Sequence, residues 1–416
     1  MRDFEGAEQE KIEFIRERFL ETCRIFGFRL MDPSPIELVS VIEAKSGPTI
    51  KDEIYFFRDK GDREVALRFD FTVGLTRYAV SQKSLRLPAK IAAFGGVWRY
   101  DEPQKGRYRY FHQWDLEIYG RPSLESDAEI IDFTSKFLSG LGLKGITINV
   151  SHRRLVEAVV VRVFQSGEPA LIADIFRAVD KIQKKPKDQI LSEYEKKGYR
   201  RDMLEQILGF SAIRGTPEQV EKEFDVSSIP AWAEVKDLFA SLKNRGVDNA
   251  VVNFGIVRGL DYYSGVVFEA FDGKSDVGAL VGGGRYDSLP KAFGRDDMGA
   301  TGVAGGVERI ALSLDGMQGS ESGRTVSVLF VSEQMLGPAI KIASRLRGMG
   351  IAADIDLVGR SFKKQMENAG SSKHAVIVAP KEYSENSVIV KNMADGAEKL
   401  VSVESLLSEA GSLLTG

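Results

Sequence analysis

The sequence predicts an α+β protein: an antiparallel-sheet domain with a helical insertion, followed by a smaller α/β domain. Three observations predict this. Residues 91–119 read as two long strands around a turn containing Pro and Gly, an antiparallel hairpin. From 153 to about 245 strand alternation disappears and helical texture takes over. From 325 onward strands alternate with helices, the pattern of a parallel or mixed sheet covered by helices. The expected boundaries are 1–322 for the first domain, about 155–245 for its insertion and 325–416 for the second. A glycine-, serine- and acid-containing linker joins them at 315–324.

The composition is compatible with this division. At ~150 residues per domain, 416 residues give two or three domains, each able to bury its own core. Hydrophobic residues make up 43% and charged residues 28%, which excludes disorder across the whole chain. No run of ~18 apolar residues exists to span a membrane, and no secretory pattern opens the chain. The single cysteine, Cys23, excludes an intrachain disulfide and fits a reducing compartment, so the cytoplasm is expected. Three scattered histidines (His112, His152 and His374) with one cysteine argue against structural zinc. Any metal chemistry is then expected from magnesium held by carboxylates or phosphates. The net charge of −3 excludes a uniformly basic nucleic-acid coat but leaves room for local basic patches.

The elements follow in order. Ile12, Ile15, Phe19, Cys23 and Phe26 recur at spacings of three and four, predicting a helix over 8–27 that stops at Gly27. Residues 28–42 read as strand-like, punctuated by Pro33 and Pro35. Paired strands are expected at 53–58 and 63–69 around the turn Asp59-Lys60-Gly61-Asp62, then a helix at 71–80. The second hairpin strand places Arg109, Phe111, Gln113, Asp115, Glu117 and Tyr119 on one face, and Tyr110, His112, Trp114, Leu116 and Ile118 on the other. One face is thus mainly apolar. The other is either a solvated surface or a polar site; Arg99 and Asp101 of the first strand could join it. A helix at 125–141 and a strand at 145–151 precede the insertion, and strands return at 249–256 and 265–271. Residues 301–314 read as a strand, a glycine turn and a helix.

The P-loop, the GxGxxG turn, HExxH and GxSxG are all absent. A nucleotide would therefore lie on an antiparallel sheet, its phosphates held by fixed arginines, whose planar forks match phosphoryl oxygens. Arg99, Arg258 and Arg309 each occur in a glycine- and aromatic-rich context that suits this role. Phe111 could stack on a purine, and Tyr262, Tyr263 and Tyr286 could line a small polar pocket.

Segments along the whole chain carry a specific resemblance. WRYDEPQKGRYRYFHQWDLEIYG (98–120) resembles motif 2 of class II aminoacyl-tRNA synthetases in its histidyl form. GVAGGVERIAL (302–312) is similar to motif 3, and SPIEL (34–38) to the weak motif 1. VRGLDYYSG (257–265) and GGRYDSL (283–289) resemble two signatures of the histidyl-tRNA synthetase family. The C-terminal region, with SFKKQMENA and SVIVKNM, resembles that family's anticodon-binding domain.

The resemblance implies a class II antiparallel catalytic domain that joins L-histidine to tRNA(His) using ATP and Mg2+. It also implies a homodimer, with Pro35 in the interface motif. By this resemblance Asp70, Thr72 and Gln113 hold the α-amino group. Glu117 and Tyr263 bracket the imidazole, and Tyr262 and Tyr286 complete the pocket. Arg99 contacts the α-phosphate, Asp101 the adenine edge and Phe111 the adenine face. Arg107 and Arg309 reach the β/γ end, and Arg258 is the cation between the α-phosphate and the amino-acid carboxylate. No magnesium ligand follows from the resemblance. Many bacterial members have RPEGT where this chain has Arg68-Phe69-Asp70-Phe71-Thr72, and Glu102 replaces a common arginine. The lysine- and arginine-rich stretch 181–201 is expected to contact the tRNA backbone. The alternative reading is a non-catalytic, synthetase-like regulatory subunit of ATP phosphoribosyltransferase, which would usually lack both VRGLDYY and the anticodon domain.

Overall fold

The large sheet is built around the expected hairpin. The computed structural model describes residues 3–102, 106, 108–182, 185–257, 263–314 and 326–414. The chain divides into two compact units, Met1–Met317 and Gln318–Gly416. Strands of the first unit are β1 (Arg29–Leu30), β2 (Ile36–Leu38), β3 (Phe56–Arg58), β4 (Glu64–Leu67), β5 (Ala89–Trp98), β6 (Tyr110–Gly120), β7 (Ile146–His152), β8 (Arg214–Gly215), β9 (Ala250–Asn253), β10 (Val266–Asp272), β11 (Ala279–Arg285) and β12 (Gly299–Gly306). Among the described residues, nine of them form one sheet in the order β1-β5-β6-β12-β11-β10-β7-β9-β8. The run from β5 to β7 is antiparallel throughout. The remaining three form a small sheet, β2-β4-β3.

One face of the large sheet is covered by helices. Gly6–Phe26 buries Ile12, Ile15, Phe19 and Cys23, the expected stripe. It ends where Gly27 turns left-handed (φ 72°), so that the amide donates back to the carbonyls of Arg24 and Cys23. The helix Leu124–Gly140 packs beside it. Phe19 meets Trp114 of β6 at a ring separation of 5.6 Å, and Trp114 meets Phe137 at 5.1 Å. The even-numbered side chains Trp114, Leu116 and Ile118 are therefore core.

Residues 28–42 depart from expectation. Only the short β1 and β2 form there, and Val39–Ser46 is a helix. Pro33 and Pro35 interrupt pairing. Beyond them Val39 and Ile42, three apart, are buried while Ile36 and Leu38 are exposed. The insertion is helical, with helices Arg153–Phe164, Pro169–Lys181, Lys187–Glu195, Arg201–Ser211, Pro217–Glu223 and Pro230–Asn244. Its own core stacks Phe210 on Phe254 at 4.4 Å. The two-residue β8, which pairs with β9, is too short to show alternation.

The second unit has strands β13 (Val326–Phe330), β14 (Ala353–Ile355), β15 (His374–Val378), β16 (Ser387–Asn392) and β17 (Glu398–Ser402), in the order β14-β13-β15-β16-β17. The first three are parallel and the last two antiparallel, a mixed sheet. Among the described residues no helix is long and apolar enough to cross a membrane.

Candidate active site

The odd-numbered face of β6 is polar and buried. Gln113 is 3% exposed, Asp115 0% and Glu117 1%, so the solvated-surface reading of this strand is excluded. Buried polar groups need partners, and these form a connected set. Gln113 Nε2 donates to Asp115 Oδ2 at 3.3 Å, and Thr72 Oγ1 donates to the same oxygen at 3.4 Å. Thr72 opens the helix Thr72–Ser81, and Asp70 Oδ1 accepts from the Val73 amide at 3.3 Å in that first turn. Thr72 and Gln113 thus meet through Asp115, a residue given no role by the sequence reading, while Asp70 sits in the helix turn that presents Thr72.

Two residues further along β6, Glu117 accepts a short hydrogen bond from the Tyr286 phenol. Gly302 of β12 stands opposite Glu117 in the register, and a Cβ there would lie 1.7 Å from Glu117 Oε2. The glycine of the motif 3 segment is what gives this carboxylate its space. The Tyr263 phenol is held protonated to higher pH, first by burial and then by the charges of Glu117, Glu269, Asp115 and Asp70. Tyr263 also packs against the buried cluster that holds Tyr286 and Tyr119. Tyr119, fully buried behind it, bonds Thr76 Oγ1 at 3.0 Å.

The other end of the face opens into a cavity of about 300 Å³ lined by Arg99, Asp101, Phe111, Gln113, Glu269 and Arg309, among others. Arg99 Nε donates to the Phe69 carbonyl at 3.0 Å and Nη2 to Gln113 Oε1 at 3.1 Å. Its guanidinium lies 5.1 Å from the Phe111 ring centroid. Arg309, on the helix Val307–Ser313, donates to the carbonyls of Gly106 at 3.2 Å and Ala279 at 3.0 Å. Arg309 therefore bridges the turn of the hairpin to β11. Glu308 also lines the cavity. Its Oε1 accepts from the His112 amide at 2.8 Å and lies 3.0 Å from His112 Nδ1, while the buried Oε2 has no hydrogen-bond partner among the described residues.

The structure thus assembles Asp70, Thr72, Gln113, Glu117, Tyr263 and Tyr286 at one end, and Arg99, Asp101, Phe111 and Arg309 at the other. Arg107, Arg258 and Tyr262 lie outside the described residues. Asp115, Glu269 and Glu308 were missed. Asp115 sat on the polar face of β6, whereas Glu308 meets its partner His112 across 196 residues and Glu269 reaches the cavity from β10. Among the described residues no cluster of three or more His, Cys, Asp or Glu could hold a metal alone.

The basic stretch 181–201 carries its own counter-charges. Lys181 and Lys185 share Glu193, Lys197 pairs with Asp174, and Arg200 pairs with Asp202. Arg201 reaches Asp188, Glu195 and Glu205.

A family model described as histidyl-tRNA synthetase matches residues 1–310, and one described as an anticodon binding domain matches 325–412. The histidine–tRNA ligase of Pyrococcus furiosus is 31% identical over 420 residues, covering 98% of this chain and 96% of its own. That of Wolinella succinogenes is 31% identical over 399 residues, with coverages of 91% and 90%. The crystal structure of histidyl-tRNA synthetase from Nostoc sp. PCC 7120 superposes with a TM-score of 0.84 at 21% identity, covering 99% of this chain and 97% of that one. A structure described as an ATP phosphoribosyltransferase regulatory subunit/histidyl-tRNA synthetase from Bacillus halodurans gives 0.75 at 21% identity, covering 91% and 97%. At those identities the two structures show a shared fold. The family model spans the whole sheet unit that holds the site, and the ligases match almost end to end, so the chain belongs to the histidyl-tRNA synthetase family.

Proposed function

We propose that this chain is a histidine–tRNA ligase. It activates L-histidine with ATP and transfers the histidyl group to the 3′ end of tRNA(His). The reading rests on one observation above all: the buried row Gln113, Asp115 and Glu117 runs directly into a cavity flanked by Arg99 and Arg309. A polar pocket for a small zwitterion thus adjoins a cavity in which two arginines can meet phosphates.

The α-ammonium of histidine, a donor-only group, is taken by the acceptors Asp70, Thr72 and Gln113. Glu117 accepts from one imidazole N–H, and the Tyr263 phenol donates to the other ring nitrogen. Tyr262 and Tyr286 close the pocket. A site that pairs both nitrogens rejects side chains that would leave its polar groups unmatched. ATP lies with its adenine on Phe111 and beside Asp101, its α-phosphate at Arg99, and its β/γ end at Arg107 and Arg309. Arg258 neutralises charge between the two substrates. The histidine carboxylate oxygen bonds to the α-phosphorus as the bond to the bridging oxygen breaks, and pyrophosphate departs with that electron pair. The 3′-terminal ribose hydroxyl then attacks the histidyl carbonyl, releasing AMP. Positioning and charge stabilisation carry both steps.

Magnesium fits this site as a partner of the substrate phosphates. Mg2+ keeps several waters and needs only one or two carboxylates beside phosphate oxygens. Glu269 and the unpartnered Oε2 of Glu308 would supply them. When bound, the ion would screen negative charge on the substrate phosphates. A homodimer through the motif 1 region is supported by Ile36, Leu38, Phe56 and Phe57, exposed large apolar side chains on the small sheet β2-β4-β3. A cytoplasmic location is supported by the single, buried and unpaired cysteine, Cys23, which suits a reducing compartment. A regulatory, histidine-sensing role would not need Arg99 and Arg309 turned to a shared cavity.

The deciding measurement is histidine-dependent ATP–pyrophosphate exchange with purified protein. Exchange with L-histidine and no other amino acid is expected, and loss of most of it in Arg258→Ala. A folded parent protein that shows no exchange overturns the reading.

A further inference from the structure

The segments 257–265 and 283–289 meet at a hydrogen-bonded pair that the activation chemistry does not use. Ser264 Oγ donates to Asp287 Oδ2 at 2.8 Å, and the Asp287 amide donates back to Ser264 Oγ at 3.1 Å. The Ser264 amide also donates to the Arg285 carbonyl at 2.7 Å. One serine is therefore tied to two residues of a distant segment. The surroundings are shaped to this pair. At Gly299 a Cβ would lie 2.3 Å from Asp287 Oδ1, and at Gly265 one would lie 3.3 Å from Arg285 Cδ. Arg285 is itself fixed: its guanidinium pairs with buried Asp127 and lies 3.8 Å from Glu234.

The position of the pair in the chain gives it a role. Ser264 follows Tyr263, and Asp287 follows Tyr286. Tyr286 bonds Glu117, and Tyr263 feels the charge of Glu117 most strongly after burial. By contrast Arg99, just past β5, bonds Phe69 and Gln113 and lies over Phe111, and Arg309, on the helix Val307–Ser313, bonds Gly106 and Ala279. We infer that Ser264 and Asp287 are positioning residues: they lock the two phenols against Glu117, and so set the fit of the imidazole while leaving the ATP end untouched. This rests on the reading of Glu117, Tyr263 and Tyr286 as the imidazole pocket.

The test is pyrophosphate exchange by the full chain carrying Ser264→Ala, Asp287→Asn or Ser264→Thr, with KM measured separately for histidine and ATP. Ser264→Ala removes both bonds at Oγ, and Asp287→Asn removes the charge that strengthens one of them, so each should raise the histidine KM about tenfold. The ATP KM should stay within about twofold, since that end is not touched. Ser264→Thr keeps the hydroxyl and should restore the histidine KM. General loosening of the fold would move both KM values together, and that result overturns the inference. An unchanged histidine KM, or a threonine variant no better than alanine, overturns it as well. Calorimetric binding of histidine reads the clamp without catalysis and should show the same tenfold loss. A parent that binds histidine but does not exchange pyrophosphate refutes the ligase reading alone; a working parent with indifferent variants refutes the clamp alone. A parent that does not bind histidine overturns both.

Discussion

Arg99 Nη2 donates to Gln113 Oε1 at 3.1 Å, and this single bond joins the two halves of the site. Arg99 faces the phosphate end, and Gln113 continues through Asp115 to Thr72 at the amino-acid end. In the proposed reaction the bond forms between a histidine oxygen and the α-phosphorus, at the seam between these halves. Gln113 Oε1 has a second lone pair to offer the ammonium, so pairing with Arg99 does not preclude substrate binding. The pairing fixes the separation of nucleophile and electrophile by a few atoms of rigid sheet, the kind of pre-set geometry on which proximity catalysis depends.

Arg99→Lys should reveal this. A lysine is a point charge on a flexible stem and cannot serve the Phe69 carbonyl, Gln113 and a phosphoryl oxygen in one plane. The rate of histidine-dependent pyrophosphate exchange should fall by about 10²-fold or more, the usual scale for a lost transition-state donor. The effect should be mainly in kcat, with the melting temperature little changed. A kcat within about threefold of the parent would detach Arg99 from the transition state.

Gly302→Ala should strike the amino-acid end selectively. The added methyl would fall 1.7 Å from Glu117 Oε2 and 2.7 Å from the Leu116 carbonyl, so the carboxylate must leave Tyr286. Overpacking of this kind costs about 1–3 kcal/mol, so the melting temperature should drop by several degrees. Histidine affinity, read by calorimetry, should fall by more than tenfold while ATP still binds. Equal losses for both ligands would show that the whole sheet, not Glu117, had moved.

What could be read from the sequence and what could not divides along a physical line. The β5–β6 hairpin was legible because a period of two sorts side chains into faces without reference to the rest of the chain. Whether the face bearing Gln113, Asp115 and Glu117 met water was not legible. Its cover comes from Tyr286 and the glycines of β12, more than 150 residues away. The same distance hid Glu308, whose bond to His112 crosses 196 residues. The helix Val39–Ser46 was misread as strand because two prolines and a β-branched run mask a spacing of three. Site residues with motif context could be named one by one through the resemblance, while Asp115 and the Ser264–Asp287 pair needed coordinates.

The basic stretch 181–201 makes a sharper prediction with the structure than without it. Lys181 and Lys185 already share Glu193, and such surface pairs neutralise charge without adding much stability. Each lysine that truly neutralises a phosphate contributes ~0.7–0.9 to the slope of log K against log salt. Replacing Lys181 and Lys185 with alanine should therefore change the slope for tRNA by less than one such contact. A change approaching two contacts would assign both lysines to the RNA backbone.

Asp127 should leave a signature in the pH dependence of stability. Burial lifts its carboxyl from 3.8 to about 6, against the opposing pull of Arg285. Because the folded state holds this proton more tightly than the unfolded state, its contribution to stability is greatest below about pH 4. It declines as pH rises and levels off above about 6. The two-unit difference corresponds to about 3 kcal/mol over that window. Glu234 shifts the other way, down to about 2, chiefly through its bond to His152, so its contribution is lost only as pH falls through that range. The two can be separated by subtraction. Unfolding free energies of the parent minus those of Asp127→Asn, measured from pH 4 to 8, should fall by a few kcal/mol up to pH 6 and then run flat. A difference curve that is flat from pH 4 to 6 would mean that Arg285 fully offsets the burial of Asp127.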